Sequence, residues 1–175
     1  MFLLDFGASR ATIIAFSGYS IRYTYSIPIS SVALTRAISE TMGIPFHEAE
    51  KLKIEHGMDK HFENGRVFSA MEPVLEEFAK EIEKQLDFYQ THTKHEHGVR
   101  GKGISRIFLS GGGSLMPGFD AYLAKRFRLD IDFANPWVNI LRKKRETANG
   151  VPLRKSLIFT TAIGVSLAGK NIFEF

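Results

Sequence analysis

At 175 residues, 44% hydrophobic and 24% charged, the chain has the composition of a soluble globular protein, long enough for one well-cored domain or two small lobes. It contains no cysteine, which excludes disulfides and thiolate metal sites and agrees with a cytoplasmic setting, and no apolar run approaches the ~20 residues that span a bilayer. A net charge of +4 and a pI near 9.3 permit an acidic or phosphate-bearing partner, but no nucleic-acid motif is present and the aromatics are not interleaved with the Lys/Arg cluster.

The N-terminus lacks the basic start of a signal peptide and meets a carboxylate at Asp5. Phe2 to Phe6 reads as a strand, and Asp5-Phe6-Gly7-Ala8-Ser9 as a tight turn. Ala11 to Phe16 and Ser20 to Ile27 read as two further strands joined at Ser17-Gly18-Tyr19, so the chain opens with an antiparallel meander. Pro28 closes the third strand. Ser30 or Ser31 caps a helix running to Met42, with Leu34, Ile38 and Met42 on one face, and Gly43 ends it. Pro45 opens a second helix, carrying His47 to Lys53, that breaks at Gly57. Met58 to Arg66 is polar, and Asn64-Gly65 signals a turn.

Met71 to Gln90 carries the clearest helical stripe: Met71, Val74, Leu75, Phe78, Ile82, Leu86 and Tyr89 recur at 3.6 spacing. His92 to Lys102 reads as a polar loop. Ile107, Phe108 and Leu109 form a buried strand that stops at Ser110 and runs into Gly111-Gly112-Gly113-Ser114, then Leu115-Met116-Pro117-Gly118 and a helix to about Phe127. A short strand at Asp130 to Phe133 and the loop Ala134-Asn135-Pro136-Trp137 follow. Arg142 to Gly150 reads as a solvated segment, and Lys155 to Ala168 as the last helix, with Ala162, Gly164, Ser166 and Ala168 giving it a small-residue face.

Three glycines after a buried strand let backbone N–H groups approach a ligand with no Cβ in the way, and the helix that follows adds free donors. The pattern therefore predicts an anion or nucleotide cradle in which a side chain at Gly112 is not tolerated. Ser-Gly-Gly-Gly-Ser is also linker composition, but linkers are not clamped between an apolar strand and an amphipathic helix. The element order is β-β-β-α, a helical insertion, then α-β-α-β-α. Three antiparallel strands continued by parallel strands, with helices on both faces, is the layer pattern of ribonuclease H-like α/β folds. That pattern divides the chain into residues 1–30 and 67–175, a subdomain with loops facing one edge of the sheet, and 31–66, an inserted small helical subdomain. There are no internal repeats.

Leu4 to Ser9 with Thr12, on the first hairpin, is similar to the second phosphate motif of the actin-like ATPase superfamily. Gly111 to Gly113 is similar to its adenosine motif. Ala49 to Gly57 resembles the helix that offers Glu and Lys to ribose hydroxyls in MreB- and FtsA-like members, with Glu50 and Lys53 on one helix face. Within the superfamily the chain resembles the PilM family of type IV pilus assembly proteins, in LDFGAS (4–9), EAEKLK (48–53), EIEKQLDFY (81–89), SRIFLSGGGSLMPGFDAYLAKRF (105–127), ANPW (134–137) and TAIGVSLAG (161–169).

The resemblance implies an actin-like ATPase domain and ATP with Mg²⁺ as cofactors. Asp5 would hold the metal through water, with Gly7, Ala8 and Ser9 against the phosphates. Glu50 and Lys53 would meet the ribose, and Gly111, Gly112, Gly113, Ser114 and Met116 would wall the adenine and ribose. It further implies a cytoplasmic scaffold, peripheral to the inner membrane through PilN-like partners. The likeness runs to the second half of the family's two-domain clamp. We therefore expect a separated or truncated C-terminal half, lacking the first phosphate loop and the PilN surface, with weak nucleotide binding alone and at most a weak ATPase activity once a first half is supplied.

Each local signal has a plainer reading. Asp5 can cap a turn, and Glu50 with Lys53 can be a solvated helix pair. Asp5-Phe6-Gly7 coincides with the protein-kinase magnesium motif, but no His-Arg-Asp loop precedes it. His92, His95 and His97 lack the carboxylate or thiolate that would complete a metal set, and Arg142 to Arg145 reads as an exposed turn. An FtsA-like filament subunit and a small-molecule kinase of the superfamily are the alternative functions. The small-residue face of the last helix and the strand edge near Leu3 and Leu4 are expected to be uncovered, so that the chain self-associates.

Overall fold

The computed structural model describes residues 1–17, 20–92, 104–138 and 151–172, with side chains at all of these except 17 and 168–172. The turn at Gly18-Tyr19, most of the His92–Lys102 loop including His95 and His97, the basic run at Arg142 to Arg145 and the Ala168 side chain lie outside the described residues.

Five strands form one mixed sheet: β1 (Phe2–Phe6), β2 (Ala11–Ser17), β3 (Ser20–Ile27), β4 (Arg106–Ser110) and β5 (Asp130–Phe133), in the order β3-β2-β1-β4-β5. β1 pairs antiparallel with β2 and parallel with β4, with Asp5 opposite both Thr12 and Ser110. β5 adds parallel to β4. β1 is thus the central strand. The uncovered edge expected near Leu3 and Leu4 does not exist, because both residues are paired on both sides and Leu4 is buried.

Alternation along β1 buries Phe2, Leu4 and Phe6 on one face. The Phe6 ring stacks 4.8 Å from Phe78 and 5.1 Å from Phe119, which bring in helices α3 (Arg66–His92) and α4 (Phe119–Phe127). α1 (Ser31–Met42) packs along α3 through Leu34 and Ile38, and α2 (Phe46–Glu55) joins the same cluster through Ala49. Ser30 caps α1, its Oγ accepting from the Ala33 amide, and Gly43 ends it at φ 66°.

α3 begins five residues before the stripe expected from Met71, because Val67, Phe68 and Ala70 extend the buried face backward. Glu63, Asn64 and Gly65 all have positive φ and form the turn that launches it. The C-terminal segment also differs from the single helix expected. It breaks into α5 (Leu153–Ser156), a 3₁₀ turn at Leu157–Phe159 that buries Leu157, and α6 (Thr160–Ile172). No helix of the described residues is long and apolar enough to cross a membrane.

Candidate functional site

The parallel pairing of β1 with β4 puts the ends of both strands side by side, so the turn after Phe6 and the glycine loop after Ser110 open on the same edge of the sheet. A cavity of about 560 Å³ lies there. Asp5, Gly7, Ala8, Glu50, Lys53, Gly111, Gly112, Gly113 and Met116 line it, so three segments far apart in sequence converge. Two of the expected residues stand off. Ser9 is exposed beyond the turn, and Ser114 is buried behind the loop, where its Oγ donates to the Ser110 carbonyl at 2.6 Å.

Gly111 sits at φ 82°, and a Cβ there would lie 2.6 Å from both Asp5 Oδ1 and the Phe6 carbonyl oxygen. A Cβ on Gly113 would lie 2.7 Å from the Phe6 ring and 2.8 Å from the Phe6 carbonyl oxygen. These two glycines are required by the close approach of the loop to β1. The expectation for Gly112 is corrected: a Cβ there meets nothing nearer than Ile158 Cγ2 at 3.6 Å. Gly112 faces the open cavity rather than the sheet.

Burial raises the Asp5 carboxyl above its ordinary range, and the Ser110 hydroxyl beside it offsets part of that. Ser110 Oγ itself is buried with no partner at full hydrogen-bond geometry.

The other wall is a buried polar cluster. Lys53 is 3% exposed. Its ammonium donates to Glu50 Oε2 at 2.7 Å, Thr35 Oγ1 at 2.7 Å, Ser31 Oγ at 2.8 Å and the Ser31 carbonyl at 3.0 Å. Thr35 in turn donates to Glu50 Oε2. Burial lowers the Lys53 ammonium below its ordinary value, with Glu50 opposing. Burial raises the Glu50 carboxyl, but hydrogen bonds from Lys53 and Thr35 outweigh it and the net shift is downward. The Ser31 amide donates to the Gly7 carbonyl at 3.0 Å and the Val32 amide to the Ala8 carbonyl at 3.4 Å, which tie the start of α1 to the first turn.

Behind the cavity the two walls are clasped. The Met58 amide donates to the Pro117 carbonyl at 2.9 Å. Gly57 (φ 48°) and Gly118 (φ 76°) flank the contact. A Cβ on Gly57 would lie 2.6 Å from the Pro117 carbonyl oxygen, and one on Gly118 would lie 2.9 Å from Met58 Cβ.

Sequence reasoning missed Ser31 and Thr35, and it missed the third wall, where Leu157, Ile158 and Thr161 line the cavity. The hydroxyls had a signal: Ser31 and Thr35 are four apart, on the side of α1 that carries Leu34 and Ile38. The third wall had a signal only at Thr161, which opens the stretch 161–169 that carries the resemblance; nothing local marks Leu157 or Ile158 as facing the glycine loop.

The donor set fits a nucleotide with a divalent cation. The small residues of the Gly7-Ala8 turn leave room for an anion beside Asp5, Glu50 accepts from hydroxyls, and the glycine loop with apolar walls at Leu115, Met116 and Ile158 accepts a flat ring. No cluster of three or more His, Cys, Asp or Glu is present among the described residues. A cation here would be held by Asp5 and complete its shell with water and ligand oxygens, the usual habit of Mg²⁺.

A family model described as "Type IV pilus assembly protein PilM" matches residues 1–170. Among solved structures, a "PilM-PilN type IV pilus biogenesis complex" matches 96% of this chain and 45% of its own at 22% identity, with a TM-score of 0.76. MreB 5 of Spiroplasma citri bound to AMPPNP matches 98% of this chain and 53% of its own at 14% identity, with a TM-score of 0.67. Both show an actin-like fold. The "Cell division protein FtsA" of Helicobacter pylori (strain J99 / ATCC 700824) is 39% identical over 62 residues, which are 35% of this chain and 12% of that protein. The chain thus spans about half the length of the structures it resembles and a smaller part of FtsA.

Proposed function

The chain belongs to the PilM family of type IV pilus assembly proteins, and from that premise we propose that it is a nucleotide-binding scaffold component of the pilus assembly machinery at the inner membrane, contributing the second half of an ATP clamp. The observation that carries this reading is the convergence of Asp5, Gly7 and Ala8 with Glu50 and with Gly111 to Gly113 around one cavity. In this reading Asp5 would hold a hydrated Mg²⁺, and the backbone of Gly7 and Ala8 would face the phosphates, with Ser9 beyond the turn. Glu50, with Lys53 behind it, holds the sugar. Gly111 to Gly113, Leu115 and Met116 would wall the base, with Ser114 behind the loop. Bound Mg-ATP supplies a charged ligand that two lobes can close upon. The facing lobe comes from the rest of a longer protein or from a separate chain, and a PilN-like partner docks mainly there, keeping the assembly cytoplasmic and peripheral to the membrane. Residues 31–66 act as a small inserted subdomain carrying the sugar contact. Any ATPase activity is expected to be weak and to need the facing lobe.

A ligand contacted on one side stays half solvated, so affinity is expected in the high-micromolar range, on the order of −5 kcal/mol. Calorimetry with Mg-ATP tests this. No binding, even with a PilM-like first half supplied, overturns the nucleotide reading; a sub-micromolar constant for the chain alone overturns the half-clamp. The FtsA match favours a second reading, a filament subunit. Nucleotide-dependent sedimentation into polymers with that half supplied would favour it over the scaffold.

A further inference from the structure

We infer that Lys53, Ser31 and Thr35 are positioning residues for Glu50, holding one of its carboxylate oxygens inward so that the other is presented to the sugar hydroxyls of the ligand. The inference rests on the nucleotide reading above and deepens it, because it moves Lys53 from the ligand to the wall behind it. An ammonium has three N–H donors. Lys53 Nζ has four protein acceptors within 3.0 Å, so no proton is left over for a ligand. At 3% exposure it could turn toward the cavity only by abandoning buried partners.

Glu50 is the opposite case. Its Oε2 receives both Lys53 and Thr35, while Oε1 receives no donor among the described residues, and the side chain is 37% exposed at the cavity. Thr35 is fully buried, and its hydroxyl serves both neighbours, accepting from Lys53 and donating to Glu50. Ser31 completes the set: its side chain and carbonyl hold Lys53, while its amide holds the Gly7 carbonyl. One buried ammonium therefore fixes Glu50 relative to the phosphate-side turn.

The test uses Thr35→Val, which keeps the shape and loses the hydroxyl, and Thr35→Ser, which keeps the hydroxyl. Affinities for Mg-ATP and its 2′,3′-dideoxy analogue are compared in each. The wild-type chain is expected to prefer the ribose by about tenfold, the worth of a hydrogen bond to a charged acceptor. Thr35→Ser should keep the preference, and Thr35→Val should reduce it to about twofold or less. A general loss of stability would weaken both ligands and leave that ratio unchanged. Full preference retained in Thr35→Val overturns the inference.

A ligand-free measurement separates failure here from failure of the nucleotide reading. The Lys53 ammonium protons should give a protected ¹H–¹⁵N signal in the wild type and Thr35→Ser and lose protection in Thr35→Val. A rapidly exchanging Lys53 ammonium in the wild type overturns the positioning geometry whatever binds. A protected signal in a chain that binds the two nucleotides equally overturns the sugar contact, and this role for Glu50 with it.

Discussion

Gly111 and Asp5 are in such close apposition that a single added carbon on Gly111 would stand 2.6 Å from the Asp5 carboxylate oxygen. The glycine also holds a φ of 82°, which L side chains rarely adopt. Gly111→Ala is therefore expected to cost on the order of 2–4 kcal/mol, combining backbone strain with a clash against immobile β1. Gly112→Ala should change stability by less than about 1 kcal/mol, since only Ile158 is near. Urea unfolding of the two variants side by side checks this. Equal losses would mean that the loop does not lie against β1 as described.

Asp5 is costly to the fold. Burial raises its carboxyl, so the folded state holds the proton more tightly than the unfolded one. For a raised acid, the stabilising contribution is present below the ordinary value of 3.8 and lost as pH rises through the folded value. At neutral pH the ionised group opposes folding. Asp5→Asn should match or exceed the wild type in Tm at neutral pH, with the advantage shrinking as the solution is acidified. The same variant should lose the Mg²⁺ dependence of nucleotide binding. A lower Tm at neutral pH, with the fold intact, would contradict this account.

Lys53→Met takes a charged partner from Ser31 and Thr35 but also relieves the burial that lowers the Lys53 ammonium, so the net cost near neutral pH should be about 1 kcal/mol. Glu50 sets the pH dependence. Its carboxyl is held below 4.5, so its contribution is present above that value and lost as pH falls through the lower folded value. The gap between wild type and Lys53→Met should narrow over that acid range. Thermal melts from neutral to acid pH measure it, and a gap that stays constant would remove Glu50 from the pair.

The face built by the 3₁₀ turn and α6 is apolar and open: Ile158, Phe159 and Val165 are 55%, 47% and 68% exposed. Surfaces of this kind recruit a partner or associate. The chain alone is expected to self-associate in analytical ultracentrifugation, and Phe159→Ser with Val165→Glu should shift it toward monomer. Co-expression with a PilM-like first half should relieve association. No neighbouring atom lies within 4 Å of a Cβ built on Gly164, so Gly164→Leu should leave the fold intact or add about 0.5–1 kcal/mol of helix stability. It should nevertheless block that relief. Relief by the first half that survives Gly164→Leu would place the contact elsewhere.

Much of this architecture is legible in the sequence because its signals are local. Alternation in FLLDF, the Ser30 and Gly43 caps of α1 and the glycine loop after a short apolar strand each depend on a few neighbouring residues. The side-by-side placement of Asp5 and Gly111 also follows once the strand order is recognised. What was not legible depends on contacts across the fold. That Gly111 and Gly113 are obligatory while Gly112 is free is decided by Phe6, a hundred residues away in the chain. That Lys53 points inward rather than into solvent is decided by two hydroxyls on α1. The break at Leu157 comes from burying one leucine in a segment whose composition suits a continuous helix.

The paired glycines behind the cavity give the protein a built-in reporter. Gly57 and Gly118 allow two loops to meet closely enough for the Met58 amide to reach the Pro117 carbonyl. That single hydrogen bond joins the end of the helix carrying Glu50 and Lys53 to the end of the glycine loop. Separating the two walls must expose this amide to water, so its hydrogen–deuterium exchange rate counts opening events. Met58 should therefore exchange more slowly when ligand bridges the walls and faster in Thr35→Val. One backbone position can thus follow the cleft's breathing without a label, a fluorophore or a working active site.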